Sequence, residues 1–147
     1  MIQPNSLPRL RLAFVDDDTL FLNALKQALG LAHDVFCMHS TRELMQFLKT
    51  GGEKLDGIFL DLEMPDTSDV HWRLGGLTAI DKIRKHFPEK TPLIAVLTGL
   101  DGAQHYGIAM ENGADVLIEK TVDVNVLVAD ILGKLHDQIK TRAGVTR

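Results

Sequence analysis

The sequence predicts an α/β domain: a parallel sheet of five strands with helices on both faces. Three observations carry that expectation. Five short apolar runs alternate with five helical patterns, and no repeat or low-complexity tract interrupts them. Alternation at these lengths requires right-handed crossovers between parallel strands. The residues able to do chemistry then stand at strand ends: Asp16 and Asp17 after the first, Asp61 on the third, Thr98 on the fourth, Lys120 after the fifth. A parallel sheet brings all these carboxyl ends to one edge, where open α/β sheets bind ligands.

Leu10 to Val15 is the first predicted strand, ending at Asp16-Asp17-Asp18. A helix follows with Leu20, Phe21, Ala24, Leu25, Ala28 and Leu29 expected on its buried face, Asp18 as N-cap and Gly30 near its end. Val35 to Met38 is the second strand. Ser40-Thr41-Arg42-Glu43 has the form of a capping box, backed by Leu44, Phe47 and Leu48, and Thr50-Gly51-Gly52 stops that helix. Leu55 to Leu60 is a buried run bounded by Gly52 and Pro65, with Asp61 at its carboxyl end. After an irregular segment, Asp66 to Leu74, a third helix carries Leu77, Ile80, Ile83 and Phe87 up to Pro88. Leu93 to Leu97 is the fourth strand, running into Thr98-Gly99. A weakly patterned helix through Ile108 and Met110 ends at Asn112-Gly113, a good left-handed cap. Val116 to Ile118 is the fifth strand, and Val124, Leu127, Val128, Ile131, Leu135 and Ile139 mark the last helix.

The 147 residues fit one domain, 1–147, with a core of about 10–139 large enough to fold unaided. A formal net charge of -4 gives no general electrostatic reason to bind nucleic acid or an anionic membrane. Cys37, the single cysteine, lies in an apolar segment and is expected to be a structural thiol. The first eight residues lack the apolar core of a signal peptide, and no stretch is long enough to span a bilayer, so a cytoplasmic location is expected.

Carboxylates converging in a cleft repel one another, and a hard divalent cation is the simplest relief. Mg2+ suits such a site because it takes few carboxylates, keeps waters and leaves room for a phosphate oxygen. A lysine and a hydroxyl supply the remaining neutralisation and hydrogen bonding that phosphoryl transfer needs, and an aspartate is a competent nucleophile for it. Asp61 as acceptor, Asp16 and Asp17 on the metal, and Thr98 and Lys120 on the phosphoryl group make a full set of roles.

Val15-Asp16-Asp17-Asp18, Leu60-Asp61-Leu62-Glu63-Met64-Pro65, Thr98-Gly99, Gly113-Ala114-Asp115 and Lys120 together resemble the receiver domain of two-component response regulators. The resemblance covers Leu10 to Ile139 and implies a flavodoxin-like fold with strand order 2-1-3-4-5. It implies phosphorylation of Asp61 by a sensor histidine kinase or a phosphotransfer protein, and it leaves room for a homodimer. It also implies Mg2+ bound directly by Asp17 and Asp61, through water by Asp16 and by the backbone carbonyl of Glu63. Thr98 becomes the switch hydroxyl and Lys120 the charge on the phosphoryl oxygens. On this reading the chain is a phosphorylation-switched module, not a turnover enzyme.

Three features depart from the family pattern. Thr121 follows Lys120 where a proline is usual, Leu117 replaces an aromatic partner of the switch hydroxyl, and the Asp66–Leu74 connection is longer than usual. A muted response across the face formed by the fourth helix, the fifth strand and the fifth helix, and a larger one in the Asp66–Leu74 loop, are the expectation. Two alternatives come from other classes. An Asp-nucleophile phosphatase or hydrolase would need an acid/base two residues after the nucleophile, where Glu63 stands. A flavodoxin-like cofactor binder would need a Ser/Thr/Gly-rich phosphate loop, but Asp16-Asp17-Asp18 would repel phosphate there. The six histidines show no metal-ligand spacing; His71, Trp72, His105 and Tyr106 are expected at the surface, and Asp66 and Asp69 as turn residues.

Overall fold

The computed structural model describes residues 7–50, 54–61, 75–87, 92–99, 107, 110–111, 113–121 and 123–144, with the side chains of 75–78 and 142–144 excepted. Five strands are β1 (Arg11–Val15), β2 (Asp34–Met38), β3 (Gly57–Asp61), β4 (Leu93–Thr98) and β5 (Val116–Glu119). Four helices among the described residues are α1 (Thr19–Leu29), α2 (Thr41–Thr50), α3 (Gly75–His86) and α4 (Val124–Gly144). The further helix expected before Gly113 falls largely outside the described residues, although Gly107, Met110 and Glu111 are helical.

The strands form one parallel sheet in the order β2-β1-β3-β4-β5. The three central strands are buried along nearly their whole length, as expected where helices cover both faces. One face packs Ala13, Ile58, Ile94 and Val96 against α2 and α3 through Leu44, Leu48, Ile80 and Ile83. The other packs Leu12, Phe14, Phe59 and Leu97 against α1 and α4 through Leu22, Leu25, Leu127, Ile131 and Leu135. Phe14 and Phe59 stack across β1 and β3 with ring centroids 4.7 Å apart. Gly57 opens β3 because a Cβ there would come within 3.0 Å of Phe59 Cε2 and 3.2 Å of Leu135 Cδ2.

The third strand starts two residues later than its apolar run. Leu55 is buried but unpaired in the sheet, and Asp56 instead clamps the start of β1. Its carboxylate accepts the Arg11 N–H at 2.8 Å and its own N–H donates to Arg11 O at 2.8 Å. The face of α1 is also corrected: Leu20 is 81% exposed and Ala28 is exposed, while Leu22, Leu25 and Leu29 are the buried row. Ile139, expected on the buried stripe of α4, is exposed.

Helix ends follow their sequence signals closely. Asp18 Oδ1 accepts the Phe21 N–H at 3.1 Å, as an N-cap should. Ser40 Oγ accepts the Glu43 N–H at 3.1 Å, and the Glu43 carboxylate reaches back to the His39 N–H, one residue earlier than a standard capping box. Gly113 has φ +104, the left-handed turn expected of it. Arg84 on α3 donates to its carbonyl and pairs with Asp115, whose other oxygen accepts the Ile94 N–H at 2.8 Å. That staple ties α3, β4 and the approach to β5 together. Cys37 is half-buried and its thiol pKa is raised by burial, against a smaller opposing pull from Lys26, which fits an unreactive structural role.

His33 is buried, and its Nδ1 accepts the Leu10 N–H at 3.1 Å, so the neutral ring is the one that fits. Burial first, and the Arg9 charge second, hold its pKa below the ordinary 6.5, although Asp34 and Asp56 pull the other way. The unfolded chain therefore takes up this proton first, and folding stability is lost as pH falls below about 6.5. His33→Asn keeps an acceptor but cannot titrate, so it should flatten this slope. Urea midpoints at pH 7.5 and 5.5 for both proteins check it; equal slopes would rule the effect out.

Candidate functional site

The strand order places the topological switch between β1 and β3, since the chain leaves β1 toward β2 and returns on its other side. Asp16 follows β1 directly, and its N–H donates to Met38 O at 3.0 Å, extending the β1–β2 pairing by one residue. Asp61 is the last residue of β3, opposite Leu97 on β4. Thr98 ends β4, and its carbonyl accepts the Lys120 N–H at 2.7 Å, fixing the backbone of both residues at the same edge.

Backbone placement thus brings Asp16, Asp17, Asp61, Thr98 and Lys120 together. Carboxylate oxygens of Asp16, Asp17 and Asp61 all lie within 4.8 Å of one another. Asp16 and Asp61 are buried, whereas Asp17 is exposed. Lys120 Nζ stands 2.6 Å from Asp16 Oδ2 and 3.5 Å from Asp61 Oδ2. Burial alone would lower the pKa of this ammonium. Its close pairing with Asp16 and the charge of Asp61 outweigh burial, so the net direction is upward and Lys120 stays charged.

One ammonium among three carboxylates leaves negative charge in excess. Oxygen ligands of one Mg2+ stand about 3–4 Å apart, given bonds of roughly 2.0–2.1 Å. A spacing of 4.8 Å is less than an ångström wider, and the donor set is all hard carboxylate, so these residues fit the ion. Glu63, expected to add a backbone carbonyl, lies outside the described residues, as do the Asp66–Leu74 connection, His71, Trp72, His105 and Tyr106.

Thr98 is fully buried, and among the described residues its hydroxyl has no hydrogen-bond partner. A buried hydroxyl left unpaired costs about 1–3 kcal/mol, so Thr98 Oγ1 is primed for an acceptor arriving at this edge. Leu117 is half-buried on β5 and packs against the core on the α2–α3 face of the sheet.

Two features were not expected from the sequence. Lys120 pairs more closely with Asp16 than with Asp61. The Phe21 ring lies under the Lys120 ammonium, 4.8 Å from Nζ to the ring centroid. The usable signal was the position of Phe21 in the first turn of α1, three residues after the N-cap that adjoins Asp16.

A fold with this switch point and this cluster defines a class. The sequence model of the response regulator receiver domain matches residues 12–132, and the chain belongs to that family. Two curated relatives illustrate its company. The chain is 25% identical over 137 residues to the protein-glutamate methylesterase/protein-glutamine glutaminase of Bdellovibrio bacteriovorus, covering 92% of this chain and 36% of that protein. It is 28% identical over 140 residues to the sensory transduction protein BceR of Halalkalibacterium halodurans, covering 89% and 55%. The chain thus spans less than two thirds of the length of either relative. Among solved structures, a CheY-like receiver domain protein of Methanospirillum hungatei superposes with TM-score 0.72 at 25% identity, over 90% of this chain and 98% of that one. A receiver domain protein of Clostridium thermocellum superposes with TM-score 0.70 at 21% identity, over 90% and 98%. Among the described residues, no helix is long and apolar enough to cross a membrane.

Proposed function

We propose that the chain is a phosphoacceptor module whose Asp61 takes a phosphoryl group from a sensor histidine kinase or a phosphotransfer protein. The observation that carries this reading is the meeting of Asp61, a charged lysine and two further carboxylates at the switch-point edge of the sheet. Membership of the receiver family supports it and leaves the hydrolase alternative without support. A single domain over residues 1–147, a cytoplasmic location and a signalling role without turnover complete the proposal.

A carboxylate oxygen of Asp61 forms the new bond to phosphorus as the bond from phosphorus to the donor's imidazole nitrogen breaks. The bonding pair leaves with the imidazole, which takes a proton from solvent. Asp16, Asp17, Asp61 and the Glu63 carbonyl would hold Mg2+, which when bound neutralises charge on the phosphoryl oxygens. Lys120 gives up one carboxylate oxygen and turns a donor to the phosphoryl group. Thr98 Oγ1 donates a hydrogen bond to another phosphoryl oxygen, ending its unpaired state; such a charge-assisted bond contributes about 1.5–3 kcal/mol. Labelling with acetyl phosphate and Mg2+, borohydride trapping and peptide mass spectrometry test the assignment. The modified aspartate should be Asp61, and a label on any other residue would overturn it.

Leu117 supports a further expectation about readout. It has neither a ring to swing nor a hydroxyl to form a new bond, and the core beside it is close-packed. Adding beryllofluoride and Mg2+ should therefore change hydrogen exchange little across Val116–Glu119 and more across 66–74. Strong protection on β5 with none in that connection would show the reverse coupling.

A further inference from the structure

The phosphoryl chemistry described above assigns no part to Phe21, yet a closed circuit of contacts holds it in the site. Asp16 Oδ1 accepts the Asp18 N–H at 2.9 Å. Asp18 Oδ1 accepts the Phe21 N–H at 3.1 Å, capping α1. The Phe21 ring then faces Lys120 Nζ at 4.8 Å from its centroid, and Nζ returns to Asp16 Oδ2 at 2.6 Å. One carboxylate therefore holds the ammonium with one oxygen and, through the helix cap, fixes the aromatic face beneath it with the other.

An aromatic face does something here that a polar side chain could not. Its quadrupole attracts the ammonium from a broad range of directions and takes up none of its N–H donors in a strong bond. A carboxylate or amide in that place would compete with an incoming oxygen for a donor. An aliphatic side chain would exclude water without attracting the charge. The ammonium can swing a donor from Asp16 to a new oxygen while the ring keeps its hold. Burial of Asp16 and partial burial of Lys120 make the hold stronger, because desolvated cation–π contacts exceed exposed ones.

We propose that Phe21 is a positioning residue for phosphoryl transfer. Its ring keeps the Lys120 ammonium at the sheet edge while that ammonium exchanges Asp16 for an oxygen of the incoming phosphoryl group. This rests on Asp61 being the acceptor, and two independent readouts separate the failure of one idea from that of the other.

The first readout needs no phosphorylation. In the metal-free protein, the ring current should shift the ε-methylene protons of Lys120 upfield, and Phe21→Leu should return them to ordinary values. The second is the acetyl phosphate labelling rate with Mg2+, which Phe21→Leu should lower about three- to tenfold, the range such a contact supports. Phe21→Trp should restore it. Stepwise fluorination of the Phe21 ring, which preserves shape and folding, should lower the logarithm of the rate in proportion to the lost cation affinity. In a Lys120→Met background, Phe21→Leu should have no further effect. A rate unchanged by fluorination, or an equal Phe21→Leu effect without Lys120, would reduce Phe21 to packing and overturn the proposal. An upfield Lys120 signal in a protein that never labels at Asp61 would instead refute the acceptor assignment while leaving the ring contact in place.

Discussion

Asp61→Asn should abolish phosphorylation, lowering labelling from acetyl phosphate by at least about three orders of magnitude, as removal of a nucleophile does elsewhere. The substitution is nearly isosteric, so the backbone of β3 and its pairing with β4 should be kept. What disappears is the anionic oxygen that forms the bond to phosphorus, because a neutral amide oxygen is a far weaker nucleophile. Stability should not fall with activity. Asp61 sits within 4.8 Å of two other carboxylates, and it holds Lys120 less closely than Asp16 does, so removing its charge relieves repulsion while the closer Lys120–Asp16 pair is kept. The thermal midpoint of metal-free Asp61→Asn should equal or exceed that of the parent. Intact-mass spectra and a melting curve on the same sample check both halves. Residual labelling at the parent rate would place the chemistry on another group.

Much of this site was legible because a doubly covered parallel sheet writes itself plainly. Its central strands are buried on both faces and read as unbroken apolar runs, so the residue at each strand's end stands out. Asp16, Asp61 and Thr98 are legible that way, whereas Lys120 follows the partly buried edge strand β5 and is legible only from the alternation of strands and helices. Helix phase was harder to read. Leu20, Ala24 and Ala28 form one apolar row on α1, and Leu22, Leu25 and Leu29 form another; only packing selects the second. The 21 residues of α4 extend about 31 Å, whereas a five-residue strand covers only about 17 Å. The helix therefore outruns the sheet, and Ile139 near its end has no strand beneath it. Leu55 shows that burial and strand pairing are separate properties, since an apolar run reports only the first. The choice of Asp16 over Asp61 by Lys120, and the ring beneath that lysine, depend on side-chain directions that spacing along the chain does not encode.

The same crowding of charge predicts a large response to a divalent cation. With chelator present, acetyl phosphate labelling should drop to background, because Lys120 alone cannot offset both the three carboxylates and the phosphoryl group that must approach them. Asp17 separates the metal's role from that of the buried pair, since it is exposed and makes no ion pair with Lys120 among the described contacts. Asp17→Ala should weaken Mg2+ binding by more than about a hundredfold, beyond the 10–100-fold typical of losing an outer-shell partner. The parent's thermal midpoint should climb with Mg2+ concentration, as required when an ion binds the folded state preferentially. The variant should lose that climb. In chelator the order should invert: removing Asp17 takes a like charge away from Asp16 and Asp61, so the metal-free variant should melt no lower than the metal-free parent. Melting curves of both proteins across a Mg2+ titration give all three comparisons. A variant that melts lower in chelator, yet responds to Mg2+ as the parent does, would mean that Asp17 serves the fold instead of the cation.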